Sequence, residues 1–415
     1  MPRIAALLIF LSFIVAIEWY VFTGIAPVFH NSQWFSYTYW FLIVAMVMGF
    51  FRVFQEFSQK DSSQVRSGFS NFLMGFGFAV IVMIIVLAGL LLLQDIILLI
   101  YGFLGYIWSA FTSSTFEFPT RNLLALKITT ILALIPFASM IYGTIFGKYR
   151  FEVEKIKLNF PDLPKAFEGF KILHISDIHA GSFDSIKQVE KGVDMIRKQA
   201  ADMIVFTGDL VNTLKDEINP YLEAFSKLNA PYGMFSILGN HDYYGLYRVA
   251  QNDPVAQQSY MKDFAQKQKE IGFQLLMNES LKIEKGADSI RLLGVENWGA
   301  GPFPKRGDLD RALQGVENDE FTILMSHDPT HWDHHVLPHN KHVHLTLAGH
   351  THGMQFGINL PKFKWSPVKY RYKRWMGLYE KAGQYLYVNR GFGFLAWPGR
   401  VGMSPEITVI ELSSN

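Results

Sequence analysis

Long apolar segments fill the first third of the chain, and shorter apolar runs replace them after it. Four segments, at residues 4–22, 34–54, 72–93 and 123–146, approach or exceed the roughly 20 residues that an α-helix needs to cross a bilayer. The pattern therefore predicts a membrane domain of four transmembrane helices over residues 1–146. A further apolar stretch at 96–108 is too short for a fifth span. We interpret it as a continuation of the third helix into the interface or as a re-entrant segment.

Basic residues near these helices indicate the side of the membrane on which the rest of the chain lies. With four spans, the N-terminus, the 55–71 loop and everything after residue 146 share one side, which carries Arg3, Arg52, Lys60, Arg66, Lys148, Arg150, Lys155 and Lys157. The other side offers Arg121, with Lys127 just inside a helix. Because short cytoplasmic loops carry an excess of Lys and Arg, we expect an integral membrane protein with its soluble part in the cytoplasm, in the inner membrane if the source is bacterial.

From residue 170 onward, short apolar runs alternate with polar clusters. The polar residues that follow five of these runs are Asp177 and His179, then Asp209, then Asn240, His241 and Asp242, then His327, and finally His350 and His352. Buried strands that deliver polar residues at their carboxyl ends are typical of an α/β fold. Residues 186–199 and 216–228 read as intervening amphipathic helices. We expect residues 147–169 to form a linker and first strand region, and residues 170–415 to form a catalytic domain.

Composition supports this division of the chain and excludes several functional classes. Half of the residues are hydrophobic and 18% are charged, against about 25% charged residues in an ordinary soluble protein. Only 11 of the 74 charged residues lie in residues 1–146. The absence of cysteine excludes a disulfide scaffold, a thiol nucleophile and a zinc–thiolate site. A net charge of +2 excludes a globally basic protein that binds nucleic acid.

The polar clusters after the runs carry carboxylate, amide and imidazole groups. Taken singly, an Asp after a strand is more often a turn former or a helix cap than a ligand. Five consecutive strand ends with such groups are different, because together they suit Mn, Fe, Zn or Co better than Ca. Two metals about 3.5–4 Å apart need a bridging ligand, and a carboxylate at the end of a central strand can supply it.

The order of these motifs resembles the calcineurin-like metallophosphoesterases, and in particular the branch in which transmembrane helices precede the phosphoesterase domain. The resemblance covers about residues 170 to 415 and rests on Asp177-Ile178-His179, Gly208-Asp209, Gly239-Asn240-His241-Asp242, His327 and Gly349-His350-Thr351-His352. The tail resembles that branch at Asn389-Arg390-Gly391 and at Pro405-Glu406-Ile407. The resemblance implies that residues 170–415 form a four-layer αββα sandwich and that the protein is a metal-dependent phosphoric ester hydrolase.

The resemblance also implies a role for each motif residue. Asp177, His179 and His352 would bind one divalent ion, and Asn240, His327 and His350 would bind a second. Asp209 would bridge the two ions, for which Mn is favoured among Mn, Fe, Zn and Co. Metal-activated water would then attack phosphorus. His241 would stabilise the phosphoryl oxygens or protonate the leaving group, and Asp242 would orient the ring of His241.

The membrane anchor and the family resemblance together suggest a lipid-linked substrate. The family that the chain resembles includes enzymes that cleave the pyrophosphate of UDP-2,3-diacylglucosamine in lipid A biosynthesis. We therefore expect that compound as the specific substrate. The alternatives are a phosphatase or phosphodiesterase for other phospholipids or soluble phosphoesters, and a catalytically silent metal-binding sensor. The lipid bilayer and such a substrate are the expected partners, and the sequence predicts no protein or nucleic-acid partner.

Two further segments carry functional hypotheses. Residues 361–375 interleave cations with aromatic residues, as segments at anionic membrane surfaces do. We expect a membrane or substrate rim there at Lys362, Lys364, Trp365, Arg371 and Arg374. The second segment, residues 331–344, holds six more histidines at irregular spacing. A solvated surface or support of the metal ligands explains it better than a third metal site.

Overall fold

The computed structural model describes residues 2–59, 62–112, 114–249, 253–303 and 305–414. Lys60, one of the basic residues that predict the orientation, lies outside the described residues. The chain divides into two compact units. The first comprises Met1–Ser58 and Phe72–Tyr142, and the second comprises Gln59–Asn71 and Gly143–Asn415.

The first unit is built from four helices that are long and apolar enough to cross a membrane. They are α1 (Pro2–Ile25), α2 (Gln33–Gln59), α3 (Gly68–Thr112) and α4 (Leu123–Ile145). These helices confirm the four predicted spans. The re-entrant interpretation of residues 96–108 is wrong, because α3 continues without a break through them. At 1.5 Å per residue, the 45 residues of α3 measure about 67 Å, more than twice the roughly 30 Å hydrocarbon core.

The second unit contains the remaining elements of the described chain. Its helices are α5 (Ile186–Arg197), α6 (Leu222–Phe225), α7 (Tyr244–Val249), α8 (Pro254–Ile271) and α9 (Leu309–Ala312). Its strands are β1 (Glu152–Asn159), β2 (Lys171–Ile175), β3 (Met203–Phe206), β4 (Met234–Ser236), β5 (Gln274–Leu275), β6 (Glu279–Lys285), β7 (Asp288–Gly294), β8 (Thr322–Met325), β9 (Leu345–Ala348), β10 (Ile358–Leu360), β11 (Phe363–Trp365), β12 (Gly377–Lys381), β13 (Gln384–Val388) and β14 (Glu406–Ser413).

The strands form two six-stranded mixed sheets and one small hairpin. The first sheet has the order β1-β14-β2-β3-β4-β5, and the second has the order β12-β13-β9-β8-β7-β6. Strands β2, β3 and β4 are parallel to one another, as are β8 and β9. Their carboxyl ends therefore lie together, and every one of the polar clusters predicted from the sequence follows one of these five strands.

Three hydrophobic clusters define the layers of this unit. The cluster between the sheets contains Ile172 and Val205 of the first sheet and Ile323 of the second. The other face of the first sheet packs against α5, α6 and α8, for example at Phe264. The other face of the second sheet packs against α9 and a π-turn that contains Trp332. Helix, sheet, sheet and helix thus follow one another, which confirms the predicted αββα fold.

One of two stretches differs in detail from the sequence interpretation. The helix predicted over 216–228 is a 3₁₀ turn, Lys215–Tyr221, followed by the single turn of α6. Pro220 explains the difference, because proline has no N–H for an α-helical hydrogen bond. Residues 147–169 contain β1, which pairs in parallel with β14 along its full length. The stretch predicted as a linker and first strand region thus supplies a strand of the first sheet.

A buried ion pair ties the carboxyl end of the chain to this sheet. Arg390 donates through Nε to Glu406 at 2.5 Å, and both side chains are buried. Glu406 also accepts hydrogen bonds from the hydroxyls of Tyr387 and Thr408, both at 2.6 Å. Both members of this pair lie in the tail motifs noted in the sequence.

Replacement of Glu406 by alanine is expected to destabilise the soluble unit. Loss of one partner of a buried pair costs about 3–5 kcal/mol, which corresponds to roughly 6–20 °C in melting temperature for a unit of this size. Thermal unfolding of the detergent-purified protein measures the effect. Glu152→Ala is the matched control, because Glu152 lies 3.7 Å from Arg390 and is partly exposed. Equal melting temperatures for the two variants would contradict this account of the pair.

Candidate metal centre

Two groups of donor atoms lie at the carboxyl ends of the central strands. The first group is Asp177, His179 and His352, and the second is Asp209, His327 and His350. Within each group, one ligand atom per residue lies within 4.8 Å of the others. All six side chains are buried, and those of His350 and His352 are the most exposed at 8%. Six of the seven metal ligands predicted from the sequence are therefore brought together in two sets.

Asp209 lies between the two groups. Its Oδ2 atom is 3.5 Å from Nε2 of His179 in the first group and 3.1 Å from Nε2 of His327 in its own group. Within the second group, Nδ1 of His350 lies 3.3 Å from Nε2 of His327. A carboxylate in this position can contact two ions at once.

Asn240, the seventh predicted ligand, is buried on the loop after β4. Neither its amide nitrogen nor its amide oxygen has a hydrogen-bond partner among the described residues. Buried amides normally have hydrogen bonds, so the unpaired oxygen is consistent with a role as a metal ligand. The next residue is fixed to the same site, because the backbone N–H of His241 donates to Oδ1 of Asp209 at 2.8 Å.

The backbone of the site is strained. Five of the seven predicted ligands have a positive φ angle, namely Asp177, His179, Asp209, His350 and His352. For residues other than glycine such conformations are costly, and they persist at functional sites where surrounding contacts enforce them. Here the enforcing contacts include backbone hydrogen bonds from Asp177 to Gly208 and from His179 to Asp209.

Glycine is required where the loops approach the carboxylates most closely. A Cβ on Gly239 would collide with the carboxylate of Asp209, and a Cβ on Gly349 would collide with that of Asp177. The glycines in the Gly-Asn-His-Asp and Gly-His-Thr-His motifs therefore make room for the ligands of the neighbouring loops.

Hydrogen bonds to the second ring nitrogen orient several of the histidines. Nδ1 of His327 lies 2.7 Å from the carbonyl oxygen of Thr207, and Nε2 of His350 lies 2.7 Å from the hydroxyl of Tyr372. These contacts leave Nε2 of His327 and Nδ1 of His350 directed at each other and at Asp209. This is the arrangement that fixes the tautomer of a metal-binding histidine.

The electrostatics of the site favour ionised carboxylates. Burial by itself would raise the pKa of Asp209, but the imidazoles around it, His327 foremost, lower it below the usual range. The pKa of Asp177 is likewise lowered against the effect of burial, mainly by His352. Burial lowers the pKa of His179, which keeps that ring neutral. Ionised carboxylates and neutral imidazoles are the forms that bind metal. Asp209 raises the pKa of His327 to about 10 against the effect of burial, so metal binding by that ring would release a proton.

The residues present therefore fit a pair of divalent ions. The donors are nitrogen and oxygen atoms only, and Asp209 of the second set lies 3.5 Å from His179 of the first. The buried oxygen of Asn240 has no partner among the described residues. Such a donor set suits first-row transition metals of intermediate softness.

The prediction that Asp242 orients the ring of His241 is wrong. Its carboxylate does not orient the ring of His241 but accepts hydrogen bonds from the backbone N–H groups of Asp209, Leu210, Val211 and Gly239. The ring of His241 is held instead by the carbonyl oxygen of Asn212, which lies 2.8 Å from Nδ1. Asp242 thus joins the loops after β3 and β4, and burial together with the Asp209 charge raises its pKa.

No sequence pattern marks three of the supporting residues. Asn212 and Tyr372 hold histidines through a carbonyl and a hydroxyl. Arg400 lies beneath the site with one guanidinium nitrogen 3.3 Å from Nδ1 of His352. The same nitrogen donates to the carbonyl of Arg390 at 2.8 Å. Burial, with some help from the charge of Arg390, lowers the pKa of Arg400 to about 9.

The five residues predicted as a rim lie in two places. Lys362, Lys364 and Trp365 belong to the β10–β11 hairpin. Arg371 and Arg374 instead line a cleft of about 500 Å³ together with Tyr372. Through the contact of Tyr372 with His350, this cleft adjoins the metal centre.

The histidine-rich segment forms no third metal group among the described residues. His331 is buried and lies 2.8 Å from the hydroxyl of Ser326, while His335 packs against the ring of Trp298. Burial lowers the pKa of His331 to about 3. His344 contacts Asp162 through Nε2 at 2.7 Å.

Removal of the Tyr372 hydroxyl is expected to weaken metal binding. In Tyr372→Phe, Nε2 of His350 keeps only Asp328, whose Oδ2 is 3.5 Å away. Loss of a partner behind a metal ligand typically costs about 10–100-fold in metal affinity or activity. Calorimetric titration with Mn²⁺ measures the affinity directly. Tyr370→Phe is the control on an exposed neighbour, and equal affinities for both variants would contradict the role of Tyr372.

Comparisons with known proteins agree with this site. Residues 170–354 match the model of the calcineurin-like phosphoesterase family. Residues 3–148 match the family model "Probable Calcineurin-like phosphoesterase, transmembrane domain". The metallophosphoesterase YkuE of Bacillus subtilis is 31% identical over 259 residues, which are 61% of this chain and 82% of YkuE. The chain belongs to the calcineurin-like phosphoesterase family. It is a membrane-anchored metallophosphoesterase, which confirms the resemblance seen in its motifs.

The names of two further relatives describe a membrane anchor in one case and a substrate in the other. A zebrafish transmembrane protein with a metallophosphoesterase domain is 26% identical over 70% of this chain, which spans 62% of that relative's length. The UDP-2,3-diacylglucosamine pyrophosphatase LpxG of Chlamydia trachomatis is 28% identical over 69% of this chain and 96% of its own.

Proposed function

We propose that this metallophosphoesterase hydrolyses a phosphoester or pyrophosphate bond of a lipid-linked substrate, with UDP-2,3-diacylglucosamine as the first candidate. The observation that carries the proposal is the pair of buried donor groups, with Oδ2 of Asp209 in one group 3.5 Å from Nε2 of His179 in the other. A bound pair of divalent ions, Mn being our preference, would neutralise phosphoryl charge and lower the pKa of water.

The protein's own groups would hold the ions and position the phosphate between them. Asp177, His179 and His352 would form one half of the cradle, and Asn240, His327 and His350 the other. Asp209 would hold both halves together, and its low pKa keeps its charge available in the neutral pH range. The strained loops fix these groups before substrate arrives, so that little reorganisation accompanies the reaction.

His241 is the group proposed to act on the substrate. It belongs to neither donor group, its ring lies 4.9 Å from that of His179, and Asn212 occupies its Nδ1 atom. Its Nε2 atom is therefore available to hydrogen-bond a phosphoryl oxygen or to protonate the leaving group.

The choice of a lipid-linked substrate has two supports. The four apolar helices would confine the enzyme to the membrane surface, where such molecules are concentrated. The name of the LpxG relative supplies the specific candidate. We place the catalytic unit in the cytoplasm, because basic residues predominate on the side shared by the N-terminus and the residues after 146.

Hydrolysis of two substrates in parallel tests the proposal. Detergent-purified protein with Mn²⁺ would be assayed with UDP-2,3-diacylglucosamine and with bis(p-nitrophenyl) phosphate, and Asp209→Ala would serve as the control. Much faster turnover of the lipid nucleotide is the expected result. Turnover of the aryl ester alone would retain the phosphoesterase and favour other phospholipids or soluble phosphoesters. Stoichiometric metal binding without turnover of either compound would favour a silent metal-binding sensor.

The β10–β11 hairpin is proposed to contact the lipid headgroups. Leu360 and Phe363 are 56% and 54% exposed at its tip, with Lys362 between them and Lys364 beside them. Apolar side chains that alternate with cations suit the boundary of an anionic bilayer.

A label at the tip of the hairpin is expected to enter the lipid boundary. Because the chain has no cysteine, Leu360→Cys creates a unique site for a polarity-sensitive fluorophore. In nanodiscs with anionic lipid, its emission should shift to the blue, and nitroxide-labelled lipids should quench it. Val255→Cys, at a residue of α8 that is 77% exposed, provides the control. Equal quenching at both positions would contradict lipid contact by the hairpin.

A further inference from the structure

The cleft beside the metal centre is positively charged. Arg371 and Lys373 are exposed at its lining, and Arg374 lies deeper. Asp333 is the one carboxylate among the described lining residues, and it pairs with Arg374, whose Nε is 3.5 Å from Oδ2. Arg371 and Lys373 therefore contribute positive charge that no lining carboxylate balances.

The three cations differ in how firmly they are held. The guanidinium of Arg374 lies over the rings of Trp332 and Tyr379, at 5.2 and 5.0 Å from their centroids. This stacking and the pair with Asp333 make Arg374 part of the wall. Among the described residues, Arg371 and Lys373 have no such stacking and no carboxylate pair. Arg371 interacts with the hydroxyl of Tyr372, and both side chains are exposed to an incoming anion.

The cleft is connected to the metal centre through its own lining. The hydroxyl of Tyr372 reaches Nε2 of His350 at 2.7 Å. A second lining residue, Thr330, donates to Oδ1 of Asp328 at 2.7 Å, and Oδ2 of Asp328 lies 3.5 Å from Nε2 of His350. An anion in the cleft would thus lie next to His350 of the second donor group, on the Nε2 side of its ring.

We propose that Arg371 and Lys373 form a subsite for a second anionic phosphate, adjacent to the phosphate that is hydrolysed. Arginine binds phosphate oxygens in bidentate fashion, and lysine adds a point charge. The subsite would make the enzyme prefer substrates with two neighbouring phosphates over simple phosphoesters. This inference rests on the proposed function and narrows its substrate class to diphosphate-containing compounds.

Two small phosphonates separate the subsite from the metal centre. Methylenediphosphonate carries two anionic groups and methylphosphonate carries one. The full-length protein, in detergent with excess Mn²⁺, would be titrated with each compound in a calorimeter. The inhibition constant of each would also be measured against hydrolysis of bis(p-nitrophenyl) phosphate. The variants are Arg371→Ala, Lys373→Ala, their combination and Arg371→Lys, with Lys191→Ala as a control on an exposed cation of α5.

The expected result is a selective loss of affinity for the compound with two anionic groups. The double variant should bind methylenediphosphonate about tenfold more weakly, as loss of charge-assisted hydrogen bonds predicts, and should bind methylphosphonate as before. Lys191→Ala should match the unmodified protein, and Arg371→Lys should lose part of the preference. An unchanged preference in the double variant would overturn the subsite. If the unmodified protein hydrolyses no ester, that result counts against the proposed function alone. The calorimetric comparison of the two phosphonates still tests the subsite, because it does not depend on turnover.

Discussion

Replacement of Asp209 by alanine is expected to abolish metal binding in both halves of the site and to lower the rate of hydrolysis by about 10⁴-fold. The reason is its position between Nε2 of His179 and Nε2 of His327, 3.5 and 3.1 Å from its Oδ2 atom. Loss of the charge stabilisation that a metal pair supplies, about 5–6 kcal/mol, corresponds to a rate factor of that size. No other single substitution should have a larger effect on catalysis.

Measurement of the metal content by elemental analysis, together with kcat, tests this expectation. Asp209→Asn keeps the shape of the side chain and the acceptor for the N–H of His241 but removes the charge, which separates folding from metal binding. Asp194→Ala is the matched control, since Asp194 is an exposed carboxylate of α5 that pairs with Arg197. Full metal content in both Asp209 variants would refute the bridging position.

Most of the fold follows directly from local patterns in the sequence. Apolar runs such as 203–206 become four-residue strands with every side chain buried, because both faces of each sheet are covered. Their polar ends meet because β2, β3 and β4 are parallel. Pro220 shows the limit of periodicity, since one residue without an N–H converts an expected helix into a 3₁₀ turn and a short helix.

The support of the metal ligands could not be predicted from the same patterns. The partners of His241 and His350 are a backbone carbonyl, at Asn212, and a tyrosine 22 residues further along the chain. Carbonyl groups are common to all residues, so no residue type marks Asn212. The left-handed backbone at Asp177 and Asp209 is equally invisible, because positive φ angles are uncommon for residues other than glycine and no sequence pattern marks where they occur.

The family resemblance implies a contact between His241 and Asp242 that the fold does not make. The short turn that begins at His241 directs the two side chains to different neighbours. Asp242 turns inward, where four backbone N–H groups surround its carboxylate. His241 remains half-buried at the site. The two residues therefore call for different tests, one of loop structure and one of catalysis.

Replacement of His241 by alanine is expected to lower kcat by about 10²–10⁴-fold, the range for loss of a positioned proton donor. Metal content should stay unchanged, because His241 belongs to neither donor group. This combination distinguishes the variant from Asp209→Ala, which should lose both. Loss of metal in His241→Ala would show that the ring is a ligand and contradict its assignment.

The leaving group of the substrate decides between the two roles proposed for His241. If the ring protonates the leaving group, His241→Ala should slow esters with a strongly basic leaving group far more than p-nitrophenyl esters, whose leaving group departs without a proton. If the ring stabilises the phosphoryl oxygens, both substrates should slow by the same factor. Asn212 holds Nδ1 in either case, so Nε2 is the ring nitrogen that can act on the substrate. The ratio of the kcat losses that His241→Ala causes for the two kinds of ester identifies which role Nε2 has.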